Sequence, residues 1–243
     1  MDNLRRPAKS KILGILFMLI GVFGILVILH RICAYVFEYD PEFYSVDYGR
    51  FNLLAFFTVQ SNILVSFYFI AAALGIFGCE RAAKIAFNPT FGCLVTTYII
   101  VTGAVFCSGI PMGMTPPLKW DTPLHGMLAF VQILHHMIIP GLCILLWFFP
   151  FSDKKIPKDA LAISGLYPLA YSLFSIVRGA VSDPTYYPYP FFNPEFIYGT
   201  VFPDRETNIF AGYAMLLPLL CVGIGLFVAV CAVVRLIGNK RRS

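Results

Sequence analysis

The chain has 243 residues, a mean hydropathy of +0.77, 58% hydrophobic side chains and only 13% charged ones. A soluble domain of this length has too little interior to hide that much apolar surface, so the class is a polytopic membrane protein. The net charge of +5 is divided among short basic segments, a pattern of membrane topology and not a nucleic-acid footprint.

A bilayer core of about 30 Å needs roughly 20 apolar residues per helix. Six stretches meet that requirement, at about 12–35, 51–77, 90–111, 125–149, 160–181 and 208–234. The expected fold is therefore all-α, a six-transmembrane-helix bundle forming a single integral membrane domain over 1–243. The first span follows Arg5, Arg6, Lys9 and Lys11, like the charged start of a signal peptide. Its apolar stretch is too long for a signal sequence and no small-x-small cleavage site follows, so it reads as a retained helix. Lys and Arg then orient the bundle. With both termini cytoplasmic, 13 of the 18 basic residues lie on the inner side, and Arg31, Arg50, Lys119, Arg178 and Arg205 lie outside.

The second span carries Thr58, Gln60, Ser61 and Asn62 within a run that should face hydrocarbon. Thr58 and Asn62 are four residues apart and share one helical face, with Ser61 beside them. The fourth span carries Gln132, His135 and His136, of which Gln132 and His136 are also four apart. Thr58 lies seven residues in from Phe51, roughly 10 Å deep at about 1.5 Å per residue. His135 and His136 lie ten and eleven residues in from His125, roughly 15–17 Å deep by the same rise. A hydroxyl and an imidazole can thus meet in the outer half of the bundle. Asp and Glu are almost absent from the spans, which argues against a proton pump or an ion-coupled transporter built on carboxylates.

Pro140, Pro168 and Pro218 fall within the later spans, and each frees a backbone carbonyl that a neighbour must satisfy. Arg178 stands near the outer end of the fifth span. It is followed by a segment from Asp183 to Pro194 that is dense in proline and aromatics, suited to an interfacial belt or to a lid over a cavity mouth. Seven cysteines, an odd number without a CxxC pair, make neither a disulfide framework nor a zinc site. His125, His135 and His136 make a poor metal set, because adjacent helical side chains diverge by about 100° and no carboxylate or paired Cys completes it. No cofactor is expected. On residues alone two readings stand. One is a Thr–His catalytic pair, and the other is a set of hydroxyls and amides that hydrogen-bond between helices. A transporter or lipid-binding protein would use the same polar cavity without chemistry, with the histidines and Arg178 as substrate ligands.

Three stretches, FFTVQSN (56–62), LHHMIIP (134–140) and SIVRGAVSDPTYYPYPFF (175–192), carry a resemblance over most of the chain. With them the chain resembles the androgen-induced and androgen-dependent membrane proteins, and more closely their bacterial multi-span relatives. The resemblance implies an intramembrane hydrolase of lipid esters, fatty acid esters of hydroxy fatty acids or similar. It also implies a Thr nucleophile at Thr58 and a His base on another helix. Counting five residues back from Pro140, as in the animal members, gives His135, whereas the bacterial spacing of four gives His136. The animal members carry a further His three residues before the catalytic one, where this chain has Gln132 if His135 is the match. That departure bears on the substrate. In this reading Asn62 or Gln60 donates to the developing oxyanion. Gln132, Asn62 or a carbonyl freed by Pro140 sets the imidazole tautomer, and Arg178 holds an anionic head group at the outer mouth. The expected partners are a lipid ester and membrane lipids, and the expected location is a cell membrane. Oligomeric state stays open.

Overall fold

The computed structural model describes residues 11–37, 52–111, 118–147, 154–182 and 185–241. Arg5, Arg6, Lys9, Arg50 and Arg242, used in the charge count, lie outside the described residues, as does Asp183. Every regular element among the described residues is helical. Six helices are long and apolar enough to cross a membrane: Lys11–Cys33, Phe57–Ile76, Pro89–Gly109, His125–Trp147, Asp159–Val181 and Ile209–Lys240.

In chain order the elements are α1 (Lys11–Phe37), α2 (Phe57–Ile76), α3 (Glu80–Ala86), α4 (Pro89–Gly109) and α5 (Pro123–Ile133). After a wide π turn at Leu134–Ile138 come α6 (Ile139–Trp147), α7 (Asp159–Val181), α8 (Pro194–Val201) and α9 (Ile209–Lys240). α2 and α4 form the centre, each with 56% of its most apolar window buried. α9 has only 11% buried and turns Leu217, Val222 and Leu236 outward. A water-soluble chain seldom shows so continuous an apolar exterior, whereas hydrocarbon solvates it without cost.

Without a hydrophobic drive between helices in lipid, close approach comes from small residues. α1 packs on α2 this way. A Cβ on Gly21 would stand 2.7 Å from the Ser66 carbonyl oxygen, and one on Gly24 would stand 2.3 Å from Ser66 Oγ. Phe17, Val65, Phe69, Ala72, Ile99, Leu134 and Ile139 fill the core where α1, α2, α4 and the π turn meet.

Two span boundaries differ from the sequence reading. α2 begins at Phe57, not near 51, because Asn52–Ala55 form a separate 3-10 turn ahead of it. Thr58 is therefore the second residue of a helix and not a side chain two turns deep. The last span runs on to Lys240, past the expected 234, since Arg235 donates from Nε to the Ile156 and Pro157 carbonyls and keeps the helix end tied to the α7 approach.

The fourth span is not one regular helix. Proline has no N–H, and its ring clashes with the carbonyl four residues back, here that of His136. The chain answers by widening the turn ahead of Pro140, so that Ile139 N–H donates to the Leu134 carbonyl five residues earlier. The displaced His136 carbonyl lies against α4 at Gly103, where an added Cβ would come within 2.8 Å of it. In this register the next donor, to the His135 carbonyl, would be residue 140, which has none. Asn62 Nδ2 of α2 fills the gap, 3.1 Å from the His135 oxygen.

Candidate active site

The start of α2 is buried in an aromatic nest. Phe57 meets Tyr171 at 5.2 Å, Phe227 at 5.3 Å and Tyr167 at 5.5 Å between ring centroids. The first amides of any helix lack intrahelical acceptors, and no side chain of residue 56 caps these. Two tyrosines substitute. Phe57 N–H donates to Tyr171 Oη at 3.2 Å, and Thr58 N–H donates to Tyr189 Oη at 3.3 Å. Tyr171 in turn donates to the Ala55 carbonyl at 2.8 Å. The positive end of the α2 dipole lies beside the hydroxyl of Thr58, the second residue of the helix.

The π turn brings His136 to that hydroxyl, with Nε2 3.3 Å from Thr58 Oγ1. Its other nitrogen, Nδ1, lies 2.9 Å from the Gln132 carbonyl oxygen. A carbonyl only accepts, so Nδ1 carries the hydrogen and, in the neutral ring, Nε2 carries the lone pair. Phe106 of α4 stacks on the imidazole at 3.8 Å with 14° between planes. His136 is 7% exposed and Thr58 is half-buried, so the pair is sheltered without being sealed. A 3.3 Å separation is long for a mature O–H···N bond, but such contacts commonly tighten when substrate binds.

These contacts assign the hydrogens. Thr58 has one hydroxyl hydrogen, and it goes to the lone pair on His136 Nε2. Tyr189 Oη, 3.3 Å from Thr58 Oγ1, accepts from the Thr58 amide and points its own hydrogen at the Thr58 oxygen. The chain of donors thus runs from Tyr189 to Thr58 to His136 to the Gln132 carbonyl.

The other expected site residues fall into different places. His135 is fully buried, and neither ring nitrogen has a protein partner among the described residues; only its carbonyl is engaged, by Asn62. The histidine pair is therefore split, and His136 alone reaches Thr58. Asn62 spends its amide hydrogens on the Thr58 carbonyl at 2.8 Å and the His135 carbonyl. Gln60 donates from Nε2 to the Leu54 carbonyl at 2.8 Å and accepts at Oε1 from Tyr167. Both amides hold the 3-10 turn, α2 and the π turn together. Gln132 meets His136 through its backbone carbonyl. Arg178 donates to Asn52 Oδ1 and lies 5.0 Å over the Tyr186 ring, joining α7, the turn before α2 and the aromatic segment after α7. His125 is nearly buried and donates from Nδ1 to Asp121 Oδ1 at 2.5 Å. Among the described residues no group of three His, Cys, Asp or Glu side chains is placed to hold a metal ion.

Sequence reasoning missed Tyr189 and Phe106. Tyr189 lies in the Tyr-Pro-Tyr-Pro-Phe segment, which composition describes only as aromatic and rigid. Phe106 has no signal beyond being apolar in an apolar helix. No family model matches the chain, and no curated protein or solved structure is significantly similar to it.

Proposed function

We propose that the protein is an intramembrane hydrolase of lipid esters, with Thr58 as nucleophile and His136 as general base. The observation that supports this most is the 3.3 Å approach of His136 Nε2 to Thr58 Oγ1, with the base-competent tautomer held by the Gln132 carbonyl. The likeness to the androgen-induced and androgen-dependent membrane proteins supplies the substrate class, fatty acid esters of hydroxy fatty acids or similar. The positive-inside distribution supports cytoplasmic termini, and the likeness to bacterial multi-span proteins supports a cell membrane.

The steps follow from the residues. Thr58 Oγ1 attacks the ester carbonyl carbon while its proton passes to His136 Nε2, and the carbonyl oxygen becomes an oxyanion. Collapse re-forms the carbonyl and expels the alcohol, which leaves with the proton from His136. Water then attacks the acyl-Thr58 ester, giving one proton to His136. Collapse releases the fatty acid and returns that proton to Thr58. No carboxylate orients His136; a backbone carbonyl takes that place. A carbonyl does not offset the imidazolium charge as an aspartate would, so turnover is slow beside that of a Ser-His-Asp enzyme.

The test is covalent labelling of the purified protein with an activated-phosphonate probe. Labelling of wild type that disappears in Thr58→Ala and falls at least about 100-fold in rate in His136→Ala supports the reading. Labelling that persists in Thr58→Ala removes Thr58 as nucleophile, and wild type that takes no label leaves a lipid-binding or transport protein built on the same residues.

A further inference from the structure

An acyl transfer at Thr58 needs a hydrogen-bond donor for the oxyanion, and the side-chain amides of Asn62 and Gln60 are aimed at backbone carbonyls. Asn62 Nδ2 serves two backbone carbonyls and Gln60 Nε2 serves the Leu54 carbonyl. The backbone amides at the start of α2 are engaged as well. Phe57 and Thr58 donate to tyrosine oxygens, and Val59 and Gln60 donate to the Phe56 carbonyl. Among the described residues, the Tyr189 phenol is a donor placed at the reacting atoms, its oxygen 3.3 Å from Thr58 Oγ1.

Resting on the hydrolase reading above, we propose that Tyr189 is a catalytic residue, the O–H donor that stabilises first the Thr58 oxygen and then the oxyanion of the tetrahedral intermediate. The geometry makes this a small movement. When Thr58 Oγ1 bonds to the ester carbon, the former carbonyl oxygen sits on that same carbon, beside Oγ1. A phenol already aimed at Oγ1 needs only a rotation of its O–H to reach it. Tyr189 does not transfer its proton; it donates a hydrogen bond whose strength rises as negative charge builds on oxygen.

Three further features suit the phenol to that role. Its ring is held flat against Phe191, at 5.0 Å with 6° between planes, and edge-on to Phe56 at 5.7 Å, so the oxygen is positioned in advance. Its oxygen accepts from the Thr58 amide at the positive end of α2, which polarises the O–H outward. Burial pushes the phenol above the ordinary tyrosine range, so it keeps its hydrogen and remains a donor through neutral and mildly alkaline pH. The aromatic segment after α7 thus contributes a group to the reacting site.

The experiment compares wild type, Tyr189→Phe and a series with fluorinated tyrosines placed at 189, using the phosphonate probe and a lipid ester. Tyr189→Phe keeps the stacking on Phe191 and Phe56. It is expected to lower kcat and the Thr58 labelling rate by about 100- to 1000-fold, with KM within about threefold. The fluorotyrosines preserve the amide contact and the fold, and kcat is expected to track phenol acidity across them. A purely structural cap would move stability or KM and leave kcat flat across that series. Thr58-dependent labelling at the wild-type rate in Tyr189→Phe, or a flat fluorotyrosine series, overturns the role of Tyr189 alone. Wild type that shows no Thr58-dependent labelling overturns the hydrolase reading and this inference with it.

Discussion

Asn62 and Pro140 form the joint on which the site geometry depends, and their coupling is measurable. Asn62 is fully buried and serves the His135 carbonyl, the acceptor that Pro140 strands. Asn62→Ala leaves that carbonyl without a partner at a cost of about 1–3 kcal/mol. The Thr58 carbonyl loses little, because it belongs to a regular helix and retains the helical amide. Interhelical hydrogen bonds in membrane proteins average about 0.6 kcal/mol and reach about 1.7 kcal/mol, so a total near 2 kcal/mol is expected once the vacated volume is included. In a Pro140→Ala background residue 140 regains its N–H and can serve the carbonyl itself. There Asn62→Ala should cost about 1 kcal/mol, chiefly the cavity, which is common to both backgrounds and cancels in the cycle. The assay is a double-mutant cycle by equilibrium unfolding in mixed detergent micelles. Asn62→Ala costs that agree within about 0.3 kcal/mol in the two backgrounds would refute the idea that Asn62 compensates for the proline.

Three more outcomes follow from the same geometry. Because both His135 nitrogens are buried without a protein partner among the described residues, His135→Leu should be neutral or stabilising by thermal unfolding and should keep Thr58 labelling within about threefold, unlike His136→Ala; a loss as deep as that of His136→Ala would place the base on the wrong residue. Gly103→Ala would push a methyl to 2.8 Å from the His136 carbonyl oxygen and 3.2 Å from the Pro140 ring, so it should destabilise by about 1–3 kcal/mol and slow Thr58 labelling; an unchanged labelling rate would mean that α4 does not set the π turn. The hydrogen bond from His125 lowers the Asp121 carboxyl below its ordinary value of about 3.9, so whatever this contact contributes to stability is present above that pH and lost as pH falls through the lower folded value. Carbon-13 titration of Asp121 should show this depressed midpoint rising in His125→Asn, and a midpoint unmoved by that substitution would refute the assignment of cause.

Much of the architecture was legible along the chain because lipid imposes a strong rule: each spanning segment must be long, apolar and helical. The boundaries that failed did so locally. Asn52–Ala55 is apolar enough to read as the start of a span, yet Gln60, Arg178 and Tyr171 tie the residues around it into a separate turn, and those partners come from up to 126 residues away. Pro140 announced a freed carbonyl, but not which neighbour would take it. The choice between His135 and His136 was likewise beyond any count of spacing, because a π turn changes which side chain faces α2, and that turn exists to relieve a proline clash.

The chain by itself thus determined six apolar helices and the polar residues Thr58, Asn62, Gln132, His135 and His136 set among them, since periodicity and composition are properties of neighbouring residues. Tertiary structure alone decided that His136 meets Thr58, that Asn62 and Gln60 donate to backbone carbonyls, and that the Tyr189 phenol lies beside the Thr58 hydroxyl. The reason is physical: a hydrogen bond is satisfied by whichever partner packing delivers within about 3 Å, and that partner is set by how helices pack in three dimensions and not by distance along the chain.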